Sequence, residues 1–241
     1  MANDNLKSTT DRRRFLGSIA TGAAAVGLAT IPNLNLQANE NFSPLLGADD
    51  PDKWFEQIKG KHRIVYDVTQ PHDIFPFAWP RVFLLTNEKT GTPAKDCSVV
   101  VVLRHSAIGY AMEDKLWSKY NLGEVFKAED PATKKPSTRN PFWNPKPDAF
   151  KVPGIGAIPI GINELQADGV MFCVCDAALT VYSAVVAAGM PSAAGGANAD
   201  AAAAMKKEWV EGLLPKIQVV PSGVWALGRA QEHKCGYIFA G

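Results

Sequence analysis

The 241-residue chain has no excess of charge of either sign: 25 lysines and arginines face 24 aspartates and glutamates, a formal +1. Such a balance supplies no field to draw in a nucleic acid or an anionic membrane. Nucleotide-binding glycine loops, a Gly-x-Ser-x-Gly elbow and a His-Glu-x-x-His helix are all missing, which removes the usual signatures of nucleotide, serine-hydrolase and zinc-protease chemistry. Internal repeats are also absent. Cysteine is scarce, with four residues: Cys97, Cys173, Cys175 and Cys235. What is present, 46% hydrophobic residues with 17 prolines and 20 glycines, suits one substantial α/β core carrying irregular insertions.

The N-terminal stretch "TTDRRRFLGSIATGAAAVGLATIP" joins Arg12, Arg13 and Arg14 to an Ala/Gly-rich run ending near Pro32. It resembles a twin-arginine export signal, with Asp11 and Gly17 departing from the ends of the usual pattern. The alternative, a membrane anchor, meets a run from Phe15 to Ile31 that is short for a span and thinned by Gly, Ser and Thr. Cleavage after Ala38 leaves a mature chain of formal charge −1. The implied destination is the periplasm, with no membrane association after cleavage; there thiols meet an oxidising environment, so two disulfides are an alternative reading of the four cysteines.

Beyond a polar leader at 39–60, a single α/β domain is expected over 61–241. "KHRIVYDVTQ" (61–70) and the valine run "CSVVVVLRHS" (97–106) read as strands, the second covered on both faces as in a parallel sheet. Helices are expected at 76–91, with Pro80 confined to the first turn, and over "AIGYAMEDKLWSKY". Residues 124–160 read as a long irregular insertion pinned by Phe142, Trp143 and Phe150. A short helix at 161–168, a strand at 169–175 and a helix at 177–188 follow, with Asp176 expected as N-cap and Gly189 as stop. After an Ala/Gly-rich loop come a helix at 199–213, a strand, a Pro-Ser-Gly turn, a helix at 223–232 and a last strand at 236–240. The alternation predicts a three-layer α/β sandwich on a mostly parallel sheet of about five strands. "LRHSA", "CVCDA" and "VPSGV" then meet at the strands' C-terminal ends, where ligands gather.

In a strand, Cys173 and Cys175 point to the same face. Cys175 directly precedes a helix, whose unsatisfied N–H groups and dipole favour an anion and lower a thiol pKa, by roughly 0.3–1 kcal/mol. Asp176 opposes this by competing for the same N–H groups and adding negative charge. The residue-level alternatives are a disulfide to Cys235 or an inert buried thiol.

"RHSAIGYAM", "DGVMFCVCDAAL" and "LLPKIQVVPSGVWALGRAQEHKCGYIFAG", in this order, resemble the DsrE/DsrF-like family of sulfur-relay proteins across roughly 61–111 and 161–240. The resemblance implies a small three-layer α/β fold with flavodoxin-like wrapping, homo-oligomers, no required cofactor and, in some members, a persulfide on the cysteine that aligns with Cys175. The chain departs from the simple relay proteins in its export signal, long insertion and extra Cys173. The expected function is periplasmic handling of sulfane sulfur, as a carrier or transferase. Cys175 takes up the sulfur, Arg104 or His105 supports the anion, Cys173 resolves the persulfide, and a donor or acceptor protein or a small sulfur compound is the partner. A different reading is a metal-binding module using Cys173, Cys175, His233 and Cys235. A third is a partner-binding module stapled by disulfides. His62, His72 and Ser222 read as surface or turn residues, and the six tryptophans as core and lid contacts.

Overall fold

The valine run is the centre of the fold. In the computed structural model, which describes residues 50–189 and 199–241, the strands are β1 (His62–Val68), β2 (Cys97–Leu103), β5 (Met171–Cys175), β6 (Ile217–Val220) and β7 (Gly236–Phe239). They form one parallel sheet in the order β6-β5-β2-β1-β7. Alternation assigns Val99, Val101 and Leu103 to one packed layer and Val100 and Val102 to the other. β5 divides with Phe172 and Val174 against the first layer and Cys173 against the second, but Cys175 at the strand's end packs with the first layer, so the two cysteines do not share a face as alternation predicts.

The two layers follow from connection handedness. β1, β2, β5 and β6 advance across the sheet in one direction, so their right-handed crossovers lie on one face. These comprise α2 (Phe75–Lys89), α3 (Asp114–Tyr120), α4 (Leu122–Phe126), α5 (Ile162–Ala167), α6 (Asp176–Gly189) and α7 (Ala199–Glu211). The β6–β7 connection runs back past three strands, so α8 (Gly223–Glu232) covers the opposite face. There Ala226, Leu227 and Ala230 pack on Val65, Val100, Val102 and Val220. The expected three-layer α/β sandwich is therefore present, and its sheet is wholly parallel.

Several local expectations need correction. The segment read as a polar leader contains α1 (Pro51–Phe55), and Phe55 and Ile58 are buried in the α8 layer. α2 begins at Phe75, which places Pro76 in the first turn and Pro80 in the interior, not the first turn. The helix expected over 107–120 is divided: a 3₁₀ segment (His105–Ala111) ends where Met112 pairs with Leu213, and α3 starts at Asp114. The Glu113 N–H donates to Gly212 O at 3.0 Å and the Leu214 N–H to Ala111 O at 2.8 Å, so tertiary pairing holds this stretch extended. Asp176 is the first residue inside α6, not its cap.

The insertion opens with the end of α4 and is otherwise irregular apart from an isolated Glu129–Pro136 bridge and the two-stranded β3 (Lys151–Val152) and β4 (Gly156–Ala157). Phe142 and Phe150 stack at 5.1 Å and are buried, and Trp143 is half-buried. Asn140, fully buried, donates from Nδ2 to Tyr110 O at 2.9 Å and Met112 O at 3.0 Å, fastening the insertion to the 3₁₀ segment. The signal at 1–38, the leader up to residue 49 and the loop at 190–198 lie outside the described residues. Among the described residues no helix is long and apolar enough to cross a membrane.

Candidate functional site

At the C-terminal edge of the sheet, β5 leads into α6 on one face and its neighbour β6 leads into α8 on the other. Adjacent strands whose connections diverge open a crevice, the position where α/β sheets bind ligands. Cys175, paired with Val220 across this boundary, is the last residue of β5 and lies at the crevice. Its Sγ accepts the Ala178 N–H at 3.3 Å, three residues on, so the thiol occupies the N-cap place expected of Asp176. The Gly223 N–H, at the head of α8, also points its dipole at this sulfur. Two helix heads from opposite layers thus converge on one thiol.

Burial decides the protonation state. With Cys175 6% exposed, desolvation raises the thiol pKa above its ordinary value. The N–H groups of Gly223, Ala178 and Ala177 pull it down and the nearby Asp176 charge pushes it up, and the net direction is upward. The pKa lowering expected from the helix end is present as a component, and burial outweighs it. Asp176 does not compete for the N–H groups, because its carboxylate, fully buried, pairs with Lys206 of α7 at 2.8 and 2.9 Å.

Arg104 follows β2 and crosses directly over Gly223: a Cβ there would lie 2.5 Å from Arg104 Cβ and 2.7 Å from Cδ. Its guanidinium donates to both oxygens of Asp67, at 2.6 and 2.9 Å, and Tyr237 Oη donates to the same carboxylate at 2.8 Å. These bonds to Asp67 raise the Arg104 pKa. His105 has a left-handed backbone (φ 50°) and is exposed; Nδ1 and Nε2 lie 3.3 and 3.4 Å from Tyr182 Oη. Ser222 caps α8, accepting the Trp225 N–H at 3.2 Å, in keeping with a turn residue.

Other expected site residues lie apart. Cys173, fully buried in the α8 layer against valines, has its pKa raised by desolvation. Cys235 immediately precedes Gly236, which pairs with Ile64, so Cys235 and His233 belong to the N-terminal edge of the sheet. Cys173, Cys175, His233 and Cys235 are therefore not assembled, and no group of three or more His, Cys, Asp or Glu able to hold a metal occurs among the described residues. All four cysteines are free thiols, so neither the Cys175–Cys235 disulfide nor a stapled module is formed. The sequence reading missed Asp67, Tyr237, Tyr182, Lys206 and Gly223. Asp67 had a signal, as the lone carboxylate in the apolar run "IVYDV", and Lys206 had none.

No family model matches the chain, and no curated protein matches it. Among solved structures, a protein of unknown function from Methanobacterium thermoautotrophicum is similar to 74% of this chain over 99% of its own length, at 18% identity and a TM-score of 0.34.

Proposed function

We propose that this chain handles sulfane sulfur in the periplasm, carrying it as a persulfide on Cys175. The supporting observation is the placement of Sγ at the β5–β6 crevice, accepting the Ala178 N–H and facing the Gly223 N–H from the opposite layer. A thiol there is held neutral by burial until a donor arrives, and N–H dipoles are already aimed where negative charge develops on sulfur. The step is an exchange with a hydropersulfide, R–S–SH. The Cys175 sulfur attacks the terminal sulfur, the Sγ–S bond forms as the donor S–S bond breaks, and R–SH leaves with the proton released by Cys175. The donor's inner sulfur is reduced to the thiol level and Cys175 is oxidised to Cys–S–SH; an acceptor thiol reverses the exchange.

The Arg104–Asp67–Tyr237 network fixes a guanidinium beside the crevice, with its charge balanced by the buried Asp67 carboxylate. His105 with Tyr182 forms an exposed polar pair on the following segment. Resolution by Cys173 requires its side chain to leave the α8 layer, so we assign transfer to an external thiol. Exposed Tyr237, Ile238 and Phe239 on edge strand β7 support assembly into homo-oligomers. Export rests on the Arg12–Arg13–Arg14 stretch.

The test is intact mass of the exported protein after brief polysulfide exposure, with and without reductant, together with metal content. A gain of sulfur mass that reductant removes and that Cys175→Ser abolishes is expected. A gain that survives Cys175→Ser, or no gain, overturns the reading. Replacing Arg12 and Arg13 with lysine is expected to retain the protein in the cytoplasm.

A further inference from the structure

At the opposite, N-terminal edge of the sheet a cleft of about 590 Å³ opens, within the range of small-ligand sites. Its cations are Lys59, Lys61, Arg63 and Lys95, against the carboxylates of Asp96 and Asp168. Asp168 is neutralised by Arg81 at 2.6 Å. Lys59, Lys61 and Lys95 are exposed and have no ion pair among the described residues. Among the described residues Arg63 meets only carbonyls, donating to Gly60 O at 2.6 Å and His233 O at 3.0 Å. Its direction is thereby set and its charge left uncompensated.

The cationic loop is held in place. The N–H groups of Lys59 and Gly60 donate to Ser98 Oγ at 3.2 and 2.7 Å, and the Lys61 N–H donates to Asp96 O at 2.6 Å. The backbones approach so closely that a Cβ on Gly60 would lie 2.5 Å from Cys97 C and Ser98 N. A fixed concave surface with four cations against one carboxylate not otherwise paired selects for negative charge. Among the described residues no aromatic ring lines the cleft, so they offer no platform on which a nucleobase would stack.

From this geometry we infer that the cleft is a binding site for a small multivalent anion bearing phosphate or carboxylate groups, independent of Cys175. The seven residues of β2 separate it from Arg104, roughly 20 Å away. Half-buried Cys97 forms part of its wall and serves as an occupancy reporter.

The experiment uses the full chain carrying Cys175→Ser, in low-salt buffer without phosphate, with inorganic pyrophosphate as probe. Alkylation of Cys97 by neutral iodoacetamide is followed by peptide mass, and binding by calorimetry. Saturating pyrophosphate is expected to slow Cys97 alkylation by about fivefold or more, while sodium chloride of equal ionic strength does not. Lys61→Glu with Lys95→Glu is expected to weaken pyrophosphate binding by about tenfold or more. Circular dichroism checks the fold of this variant, and Lys95→Gln replaces it, with a smaller loss expected, if it does not fold. Equal Cys97 rates with and without pyrophosphate, or binding undiminished in the lysine variants, overturns the inference.

Discussion

The thiol of Cys175 caps the helix that follows it, its Sγ accepting the Ala178 N–H at 3.3 Å. Serine is a strong N-cap and alanine is not. Cys175→Ser should therefore keep unfolding stability within about 1 kcal/mol of the parent, while Cys175→Ala loses about 0.5–2 kcal/mol. Urea denaturation separates the two; equal losses would show that the cap contributes nothing.

Gly223 is required by close approach. Its missing Cβ leaves room for Arg104, whose Cβ, Cδ and Cγ would lie at 2.5, 2.7 and 3.1 Å. Gly223→Ala is expected to cost about 1–3 kcal/mol by overpacking. It should also change the rate of Cys175 alkylation, because the Gly223 N–H acts on that sulfur. Thermal unfolding and alkylation kinetics check both; an unchanged variant would remove Gly223 from the site.

Asp67, 1% exposed, depends on Arg104 and Tyr237 for its hydrogen bonds. Arg104→Met leaves this carboxylate buried with one partner. The expected loss is about 2–4 kcal/mol, at the lower part of the range for a broken buried pair because the Arg104 side chain is 27% exposed. Tyr237→Phe should cost about 1 kcal/mol. Denaturation of Arg104→Met combined with Asp67→Asn tests the cause, since removing both charges should recover part of the loss.

The thiols make stability fall in alkali. Burial raises the pKa of Cys97, Cys173 and Cys175, and that of Cys235 from 9.0 to about 11. The native state thus keeps protons that the unfolded chain releases, and stability decreases with rising pH in that window. This contribution is complete below the ordinary thiol pKa and, for Cys235, is lost as pH rises towards about 11. Denaturation midpoints from pH 7 upward should decline, and Cys235→Ala should flatten the decline; a midpoint insensitive to pH would contradict the burial of these groups.

The Asp176 charge, paired with Lys206 of α7, acts on the same thiol. Asp176→Asn removes the charge that raises the Cys175 pKa and should speed its alkylation severalfold at fixed pH, whereas Lys206→Met should slow it. Each single variant leaves a buried charge unpaired, at about 3–5 kcal/mol. Rates are therefore compared well below the unfolding midpoint; shifts of the same sign in both variants would exclude the electrostatic cause.

Much of the fold was legible because its signals are local. The unbroken valines of β2 announced a strand covered on both faces, and "VPSGVWALGRAQE" marked α8 at residues 223–232 as observed. The misreadings arose where distant residues intervene. Met112 is held extended by Leu213, a partner about a hundred positions away, so helix-compatible residues at 107–120 did not form one helix. The Asp and Lys residues around Trp54 and Phe55 give 39–60 the composition of a polar leader, yet Phe55 is fully buried beneath α8. The cationic cleft combines the β1 entry, the β2 entry and the turn before β5, three segments with no common motif.

By itself the sequence determined that Cys175 ends a strand and precedes a helix, since side-chain periodicity and chain punctuation are properties of neighbouring residues. Only the tertiary structure decided what kind of thiol this is. Its 6% exposure, the Gly223 N–H from the opposite layer, and the Lys206 charge that turns Asp176 away all come from elements far along the chain. Desolvation and Coulomb energies depend on distance in space rather than separation in sequence, and at Cys175 desolvation exceeds the pull of the helix that local reading anticipated.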